Sequence, residues 1–381
     1  MKIGLVTPAL GFQGGLELHA HQLGQALSAR GHEVRLLHGP RIARDPLGFA
    51  APFASTASVD QAGATSGLDV VWVEKAHSAD DLIKFGELPV LVAVHDHDLT
   101  CLRTSRTLLV GRAACERPPG ASCVAHGCVV VRDRGSAFPL SLASPFTLRH
   151  RLAALAGRAP LVACSRFVAR TLIEAGAPPG RVSAIHPLPP EDPTPLKARP
   201  GASRLLVAAQ LVHGKGVDLA IEALAHLPPE VTLEIAGDGP ERGALEAQAR
   251  AFPGRVGFAG YVRPEQMAAR YDAASVVVVP SRWPEPFGLI GVEAMRRGRP
   301  VVAALHGGIP EWLAPQPGGA GFQPGNARDL ARAARSVLED RLAGAEARLF
   351  AQAHLAQPRA IDQVELLLAA AARQGPLKVA S

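Results

Sequence analysis

Short apolar runs alternate with segments of helical length along most of this 381-residue chain. In the first half they occupy residues 2–8, 33–38, 69–74, 90–96, 161–165 and 181–187, and in the second half 204–210, 231–237, 255–260 and 275–281. Nearly continuous apolar strands separated by helices are typical of parallel sheets covered on both faces. The pattern therefore predicts an α/β chain with two doubly wound, Rossmann-like domains.

A proline-rich stretch, HPLPPEDPTPLKARPGAS (186–203), separates the two series of strands. It cannot form a helix or a central strand, so it indicates a linker. We predict a first domain over 1–187, a linker over 188–202 and a second domain over 203–355. Residues 356–381 are expected to form a helix that packs back on the first domain. Ligands of such sheets bind beyond the carboxyl ends of the strands, so two facing domains predict a site in the cleft between them.

The chain is basic, with a net charge of +6 and a pI near 9.4, and it has only six lysines. Either an arginine-rich composition or attraction to anionic partners, such as nucleotides or an acidic membrane face, explains this balance. Aromatic residues make up 4% and do not interleave with basic runs, which disfavours a nucleic-acid partner. No signal peptide is recognisable, and no apolar stretch reaches the ~18–20 residues that span a bilayer, so we expect a cytoplasmic protein.

A glycine pair, Gly14-Gly15, follows the first strand and precedes a helical stretch. Glycines in that place let the backbone approach a ligand, and the start of a helix favours negative charge. The spacing does not match the dinucleotide fingerprint GxGxxG, which disfavours a dehydrogenase. The pair alone is equally typical of a plain tight turn.

Lys215 lies between two glycines in AQLVHGKGVDLAIEAL (209–224), just after the first strand of the second domain. A lysine held there can point into a cleft as a cation for phosphate. The alternative is a solvated lysine in a loop.

The stretch RWPEPFGLIGVEAMRRG (282–298) carries two acids, Glu285 and Glu293, around the start of a predicted helix. Amides in the first turn of a helix lack partners within the helix and, with its dipole, favour an anion. Carboxylates suit vicinal hydroxyls. The stretch thus predicts a clamp for a nucleotide-sugar, whose diphosphate lies against the amides of Phe287, Gly288, Leu289 and Ile290. The alternative is that the two acids bind no ligand: one interacts favourably with the helix dipole, and the other is an ordinary surface residue.

Together these motifs resemble the family 4 glycosyltransferases, which have the GT-B fold of two facing Rossmann-like domains with an interdomain cleft. The E-x7-E arrangement in EPFGLIGVE is the most specific part. Supporting parts are GKG (214–216), AGDGPERGALE (236–246), FAGYV (258–262) and GGIPEWL (307–313).

The resemblance implies a retaining hexosyltransferase that uses a nucleoside-diphosphate-sugar donor, with no metal at the diphosphate. It implies that Glu293 binds the donor ribose, Glu285 a hydroxyl of the donor sugar, and Lys215 the leaving diphosphate. It further implies that backbone amides at Gly15 and near 288–290 hold phosphate oxygens, and that His95 lies beside the donor sugar. A UDP-sugar is the favoured donor and a GDP-sugar the second. The acceptor is expected to be a glycan, a lipid or lipid-linked molecule, or a small molecule in bacterial glycan biosynthesis. Peripheral membrane association at the inner membrane face is a further expectation.

Gln210 departs from the family pattern, which usually has an arginine five residues before the phosphate lysine. Either His213 or an arginine from elsewhere replaces that cation, or turnover is impaired. A binding-only nucleotide-sugar protein is therefore the alternative to an active enzyme. A nucleotide-sugar epimerase of the same architecture is a further alternative, but the E-x7-E motif disfavours it.

Four of the five cysteines, Cys101, Cys115, Cys123 and Cys128, fall in an unusual insertion over about 99–130. Clustered cysteines in a cytosolic protein favour a metal, here a structural Zn²⁺ or an iron–sulfur cluster, over disulfides or unliganded thiols. We expect the insertion to shape the acceptor pocket. Asp96-x-Asp98 matches the DxD metal–diphosphate motif of another glycosyltransferase architecture. Because the fold predicted here is not that one, no catalytic metal is expected there.

Overall fold

The computed structural model describes residues 1–12, 14–132, 140–189, 198, 200–201, 203–314 and 318–374. The chain divides into two compact units. Unit 1 holds Met1–Arg112, Glu116–Pro190 and Gln357–Ser381, and unit 2 holds Ala113–Cys115 and Glu191–Ala356. The linker predicted over 188–202 lies mostly outside the described residues, as do 375–381 of the predicted terminal helix.

Unit 1 is built on a parallel sheet. Its strands are β1 (Lys2–Leu10), β2 (Glu33–Ile42), β3 (Ser55–Ser58), β4 (Val70–Val73), β5 (Val90–Val94), β6 (Val130–Arg132), β7 (Leu140–Leu142), β8 (Leu161–Ala163) and β9 (Val182–Ala184). Strands β6 and β7 form a separate antiparallel pair. The sheet has seven strands in the order β3-β2-β1-β4-β5-β8-β9. Its helices are α1 (Gly15–Ala29), α2 (Pro46–Ala50), α3 (Ala121–Ala125), α4 (Pro145–Arg158) and α5 (Arg166–Glu174), with short 3-10 helices at Ala79–Phe85 and Pro179–Arg181.

Unit 2 repeats the architecture with a six-stranded parallel sheet. Its strands are β10 (Arg204–Ala208), β11 (Thr232–Ala236), β12 (Val256–Gly260), β13 (Val276–Val279), β14 (Val301–Ala304) and β15 (Gly319–Phe322), in the order β12-β11-β10-β13-β14-β15. Its helices are α6 (Val217–Ala223), α7 (Arg242–Ala249), α8 (Pro264–Ala273), α9 (Leu289–Arg296), α10 (Pro310–Leu313), α11 (Ala327–Glu339) and α12 (Ala343–His354), with 3-10 turns at His213–Lys215 and Leu224–His226.

The central strands are buried on both faces, which explains why their sequences are continuously apolar. Every residue of β5 and β13 is buried, as expected where helices cover both sides of a parallel sheet. The prediction of two Rossmann-like α/β units is confirmed. Strands β3, β14 and β15 were not expected from the sequence; STAS is polar, and GAGF contains glycines, which are depleted in strands.

The C-terminal helix α13 (Gln357–Gln374) belongs to unit 1. Its side chains Ile361, Val364 and Leu368 are part of the unit 1 hydrophobic core. Arg30, the residue directly after α1, also reaches Asp362 on α13 at 2.6 Å. Exposed ion pairs contribute little, so the apolar face holds this helix in place. Among the helices of the described residues, none has the length and apolar character needed to cross a membrane.

Candidate functional site

In unit 1, polar side chains meet where three neighbouring strands end. Glu74 follows β4, His95 follows β5, and His19 lies on α1, which follows β1. The Glu74 carboxylate lies 2.6 Å from His95 Nε2 through Oε2 and 3.2 Å from His19 Nδ1 through Oε1. The indole Nε1 of Trp72 donates to Glu74 Oε1 at 3.0 Å. The parallel topology thus brings together residues far apart in sequence.

Glu74 is 1% exposed and yet ionised at neutral pH. Burial alone would raise the pKa of its carboxyl, but the charges and hydrogen bonds of His19 and His95 lower it to about 2. An ionised carboxylate only accepts hydrogen bonds, so His19 presents Nδ1–H and His95 presents Nε2–H. In a neutral His95 ring, Nδ1 is then the nitrogen that can accept a hydrogen bond.

The same three residues, among those described, are the one set of His, Cys, Asp or Glu side chains whose ligand atoms all lie within 4.8 Å of one another. Their N–O separations are those of hydrogen bonds, and the carboxylate also accepts from Trp72. The set is therefore best described as a hydrogen-bonded network, which we call the Glu74 network.

The cysteines do not converge. All five lie within the described residues, and none forms a disulfide. No three of their sulfur atoms lie within 4.8 Å of one another, as the ligands of a shared metal ion would. Cys123 and Cys128 lie at the two ends of a short turn, where the Cys128 N–H donates to the Cys123 carbonyl at 2.8 Å. Cysteines that are close in sequence therefore do not bring three or more sulfur atoms together. The structure gives the predicted Zn²⁺ or iron–sulfur site no support.

Asp96 and Asp98 both bind Lys75, at 2.7 Å and 2.5 Å to its Nζ. Burial would raise the pKa of Asp96, but the Lys75 ammonium holds it below its ordinary value. Lys75 thus supplies the positive charge that this acidic pair requires.

The glycine pair lies at the start of α1. Gly14 precedes the helix, and its N–H donates to Glu17 Oε2 at 3.0 Å. Gly15 is the first residue of the helix and is exposed. Of the two predicted glycines, Gly15 is therefore the better placed to offer its amide to a ligand.

In unit 2, the predicted residues Lys215 and Glu285 are in direct contact. Lys215 Nζ lies 2.7 Å from Glu285 Oε1 and 4.8 Å from the centre of the Trp283 ring. Trp283 Nε1 donates to the same carboxylate oxygen at 3.0 Å, and Ser281 Oγ donates to it as well. The Lys215 side chain keeps 25% of its surface exposed, whereas that of Glu285 keeps 7%. The buried acid therefore anchors a partly exposed cation.

Glu285 remains ionised despite its burial. Burial would raise the pKa of this carboxyl, but the Lys215 charge and the donors Lys215, Ser281 and Trp283 hold it below its ordinary value. The carboxylate is therefore charged, and it anchors a lysine whose side chain is partly exposed.

The two glycines of GKG explain how Lys215 is placed. A Cβ at Gly214 would come within 2.4 Å of the Trp283 ring, and a Cβ at Gly216, whose φ is +64°, within 2.0 Å of the Pro280 carbonyl oxygen. The Arg282 N–H also donates to the Gly214 carbonyl at 2.8 Å. Both positions need glycine because the 214–216 turn packs directly on the loop that carries Glu285.

That loop leads into α9, whose first residue is Leu289. Trp312 Nε1 donates to the Phe287 carbonyl at 2.7 Å, and the Gly308 N–H donates to the Glu285 carbonyl at 2.8 Å. The predicted GGIPEWL segment thus supports the loop from behind. Phe287 is buried, while Gly288, Leu289 and Ile290 are partly exposed at the helix start, where amides favour an anion.

Glu293 lies in the next turn of α9 and is separate from the Lys215–Glu285 pair. Tyr271 donates its hydroxyl to Glu293 Oε2 at 2.6 Å. Burial raises the pKa of the Glu293 carboxyl to about 7, although Tyr271 and Arg296 oppose that rise. A carboxyl of this kind costs stability when it ionises.

Replacing Glu293 by glutamine is expected to stabilise the protein above neutral pH. The folded chain keeps a proton that the unfolded chain loses near pH 4.5, so stability falls as pH rises from about 4.5 to 7. Glutamine removes this loss and still accepts from Tyr271, so we expect a gain of about 3 kcal/mol at pH 8 and almost none at pH 4.5. Urea unfolding at both values measures the gain. An equal effect at both would contradict the titration of Glu293.

Gln210 lies in the turn after β10 and its side chain is exposed. Its carbonyl accepts from the Val212 N–H at 2.9 Å. Position 210 lies five residues before Lys215, in the segment that joins β10 to α6.

Several site residues were not expected from the sequence: His19, Glu74, Ser281, Trp283 and Tyr271. Ser281 and Trp283 adjoin the predicted motif, and the PSRWPEP pattern offered a signal for them. Glu74 closes the apolar run DVVWVE, at the carboxyl end where ligands bind. His19 and Tyr271 lie on helices with no local signal.

Two family models match this chain. The family model described as "Glycosyltransferase Family 4" matches residues 13–188, and "Glycosyl transferases group 1" matches 190–354. The chain is 37% identical to the glycogen synthase of Mycobacterium tuberculosis over 151 residues, 38% of this chain and 36% of that one. It is 33% identical to D-inositol 3-phosphate glycosyltransferase 1 of Catenulispora acidiphila over 244 residues, 51% and 58% of the two chains.

The chain thus spans about a third of the first of these relatives and over half of the second. Among solved structures, Anabaena HepE in complex with UDP and glucose superposes with a TM-score of 0.70 at 20% identity, over 97% of this chain and all of that one. This likeness shows the fold. The two family matches run in succession through both units, and the chain therefore belongs to the family 4, group 1 glycosyltransferases with the GT-B fold.

Proposed function

We propose that this protein is a retaining glycosyltransferase that moves a sugar from a nucleoside-diphosphate-sugar to a hydroxyl acceptor. The observation that carries the proposal is the Lys215–Glu285 pair, which lies beside the start of α9 with Glu293 on the same helix. We further propose that unit 2 is the donor side and unit 1 the acceptor side.

Lys215 acts on the leaving diphosphate in this proposal. Its ammonium is partly exposed and is anchored by a buried carboxylate, so it is oriented before the donor arrives. Amides at 288–290 and the dipole of α9 add positive potential. Preorganised cations and amides stabilise the negative charge that grows on the diphosphate. Such a site does not depend on a divalent metal.

The two acids of the motif take different parts of the donor. Glu293, half-buried next to Tyr271, accepts from the ribose hydroxyls. Glu285 holds Lys215 and accepts from a hydroxyl of the donor sugar. The pKa of the Glu285 carboxyl is lowered, whereas that of the Glu293 carboxyl is raised to about 7. These opposite shifts support different roles for the two acids.

Unit 1 contributes His95 and the start of α1. The Glu74 network engages Nε2 of His95, so that Nδ1 is the ring nitrogen left to meet a hydroxyl of the transferred sugar. The exposed Gly15 amide is proposed to bind a phosphate oxygen. Both residues follow the carboxyl ends of their strands, which is where ligands of such sheets bind.

A UDP-sugar is the first donor to test and a GDP-sugar the second. HepE, which shares the fold, was solved with UDP and with UDP-glucose. The acceptor is proposed to be a glycan, a lipid-linked glycan or a small molecule, and the protein to act in the cytoplasm.

Transfer is expected to keep the anomeric configuration of the donor sugar. The bond from C1 to the diphosphate oxygen breaks through an oxocarbenium-like transition state. The acceptor oxygen then bonds to C1 on the same face, and its proton goes to the departing diphosphate. Proton NMR of the product formed from the donor that is turned over gives the anomeric coupling constant. An inverted product would contradict the retaining assignment.

A binding-only protein is the second candidate, because the exposed Gln210 carries no charge where the family pattern has an arginine. Calorimetric binding of a nucleoside diphosphate with no turnover across donors and acceptors would favour it. Turnover with any donor would exclude it.

A further inference from the structure

The end of α8 contacts α9 through two neighbouring side chains. Tyr271 donates its hydroxyl to Glu293 Oε2 at 2.6 Å. The next residue, Asp272, accepts from Arg297 at 2.6 Å through Oδ2 and at 3.1 Å through Oδ1. Glu293 lies on α9 and Arg297 directly follows it, four residues later and therefore on the same side of the helix. The buried ion pair thus fixes the end of α8 against α9 next to the Tyr271–Glu293 contact.

The Tyr271 hydroxyl is a fixed donor. Its side chain is 2% exposed, and the ion pair beside it is buried as well. A buried hydroxyl needs a hydrogen-bond partner, and Glu293 supplies it. Burial and the nearby Glu293 raise the pKa of Tyr271 well above its ordinary value, so the hydroxyl keeps its proton at neutral pH. The phenol therefore donates to one chosen oxygen of Glu293.

The two carboxyl oxygens of Glu293 differ in their surroundings. Tyr271 occupies Oε2, and among the described residues no donor reaches Oε1. The side chain of Glu293 is partly exposed, so a ligand can approach this second oxygen. A hydrogen bond to Oε2 fixes the plane of the carboxyl group and with it the direction of Oε1. The same bond opposes the rise in the pKa of Glu293 and favours the ionised form, which only accepts hydrogen bonds.

We propose that Tyr271 is a positioning residue for the donor ribose, because its hydroxyl holds Glu293 with Oε1 directed at a ribose hydroxyl. This inference rests on the proposed function, in which Glu293 binds the ribose. It gives α8, which lies outside every motif identified in the sequence, a part in the choice of ribonucleotides over deoxyribonucleotides. A hydrogen bond from a hydroxyl to a carboxylate is strong and directional, so a displaced Oε1 costs affinity.

A purely structural role for Tyr271 makes a different prediction. If the phenol only satisfied a buried acid, its loss would lower stability and weaken every nucleotide alike. A positioning role weakens only those nucleotides that carry the hydroxyl bound by Glu293. The ratio of the affinities for a ribonucleotide and its deoxy form therefore separates the two roles.

Titration calorimetry with the full chain measures this ratio. The probes are UDP and GDP, each with its 2′-deoxy and 3′-deoxy forms. The wild type is expected to prefer the ribonucleotide by about tenfold or more over the form that lacks the bound hydroxyl. Tyr271→Phe keeps the ring and removes the donor, and it is expected to reduce the preference to about threefold or less. In turnover assays the KM for the donor should rise more than kcat falls, because ribose binding is shared by the ground state and the transition state.

Two comparisons serve as controls. Ser336→Ala also removes a hydroxyl from unit 2, one that donates to the Ala333 carbonyl at 2.9 Å on α11, and it should keep the full preference. Adding Tyr271→Phe to Glu293→Ala should leave the remaining preference unchanged, because Tyr271 acts through the acid. This double variant removes the buried acid together with its donor, so the comparison stays measurable even if Tyr271→Phe alone unfolds.

Three results would overturn the proposal. A full ribose preference in Tyr271→Phe would do so and would leave the proposed function intact. A changed preference on adding Tyr271→Phe to Glu293→Ala would show that the phenol acts on the nucleotide by another route. A wild type that binds none of the nucleoside diphosphates would remove the proposed function and this inference with it.

Discussion

Replacing Lys215 by alanine is expected to lower kcat/KM for the donor by about 10²–10³-fold, the range for a lost preorganised charge. Lys215 is proposed to stabilise charge that appears on the diphosphate only in the transition state, so kcat should fall more than KM rises. The measurement is steady-state release of nucleoside diphosphate over a range of donor concentrations.

The same variant should also weaken the fold locally. Without Lys215, the buried Glu285 keeps Ser281 and Trp283 as donors but loses its counter-charge. Because Lys215 is partly exposed, we expect a loss of about 1–3 kcal/mol, below the range for a fully buried pair. Glu285→Gln in the same background should recover part of that loss without recovering activity.

Lys84→Ala is the matched control for Lys215→Ala. Lys84 also pairs with a carboxylate, Asp60, at 2.8 Å, but both side chains are exposed. Its removal should change activity and stability little, since exposed pairs contribute about 0–1 kcal/mol. Activity of Lys215→Ala within about threefold of Lys84→Ala would remove Lys215 from the proposed mechanism, because the range for a lost charge starts near 10²-fold.

Replacing Glu74 by alanine is expected to destabilise unit 1 by about 3–5 kcal/mol, the cost of removing one partner from a buried charged network. Trp72, His19 and His95 would each lose the acceptor that they share. The effect should depend on pH, because the pKa of Glu74 is lowered to about 2. Its stabilisation is present above pH 4.5 and is lost as the pH falls through 2.

Glu74→Gln separates folding from function. The amide fills the same volume but presents one acceptor oxygen and one donor NH₂ group, so one of the two histidines must change tautomer or lose its partner. We expect turnover to fall by about 10–100-fold, through the orientation of His95, with a smaller loss of stability than in Glu74→Ala.

Trp72→Phe is the control here, since it removes one donor to Glu74 and leaves both histidine contacts in place. It should keep near-normal turnover. Wild-type kcat in Glu74→Gln would show that the network does not position His95.

The site residues of unit 2 could largely be predicted from the sequence, whereas the Glu74 network of unit 1 could not, and the reason is physical. In unit 2, Glu285, Glu293 and the amides of 287–290 lie within one loop and one helix, so local sequence places them. Lys215 is distant in sequence from this loop and helix, but the glycines on either side of it indicate that its turn packs closely against a neighbouring segment.

In unit 1, the Glu74 network joins residues 19, 74 and 95. The sequence indicates that Glu74 and His95 end strands, but not that β4 lies between β1 and β5. Strand order depends on long-range pairing, which no local pattern encodes. The cysteines show the converse, since four of them are close along the chain but, among the described residues, no three of their thiols lie within 4.8 Å of one another.

Release of nucleoside diphosphate from a panel of UDP-, GDP- and ADP-sugars tests the central claim most directly. Wild type, Lys215→Ala and Glu293→Ala are compared, with acceptor candidates present. The donor clamp of unit 2 predicts that the wild type turns over one class of donor, a UDP-sugar first, and that both variants lose that turnover. Turnover that survives in both variants would contradict the clamp assigned to Lys215 and the 285–293 motif.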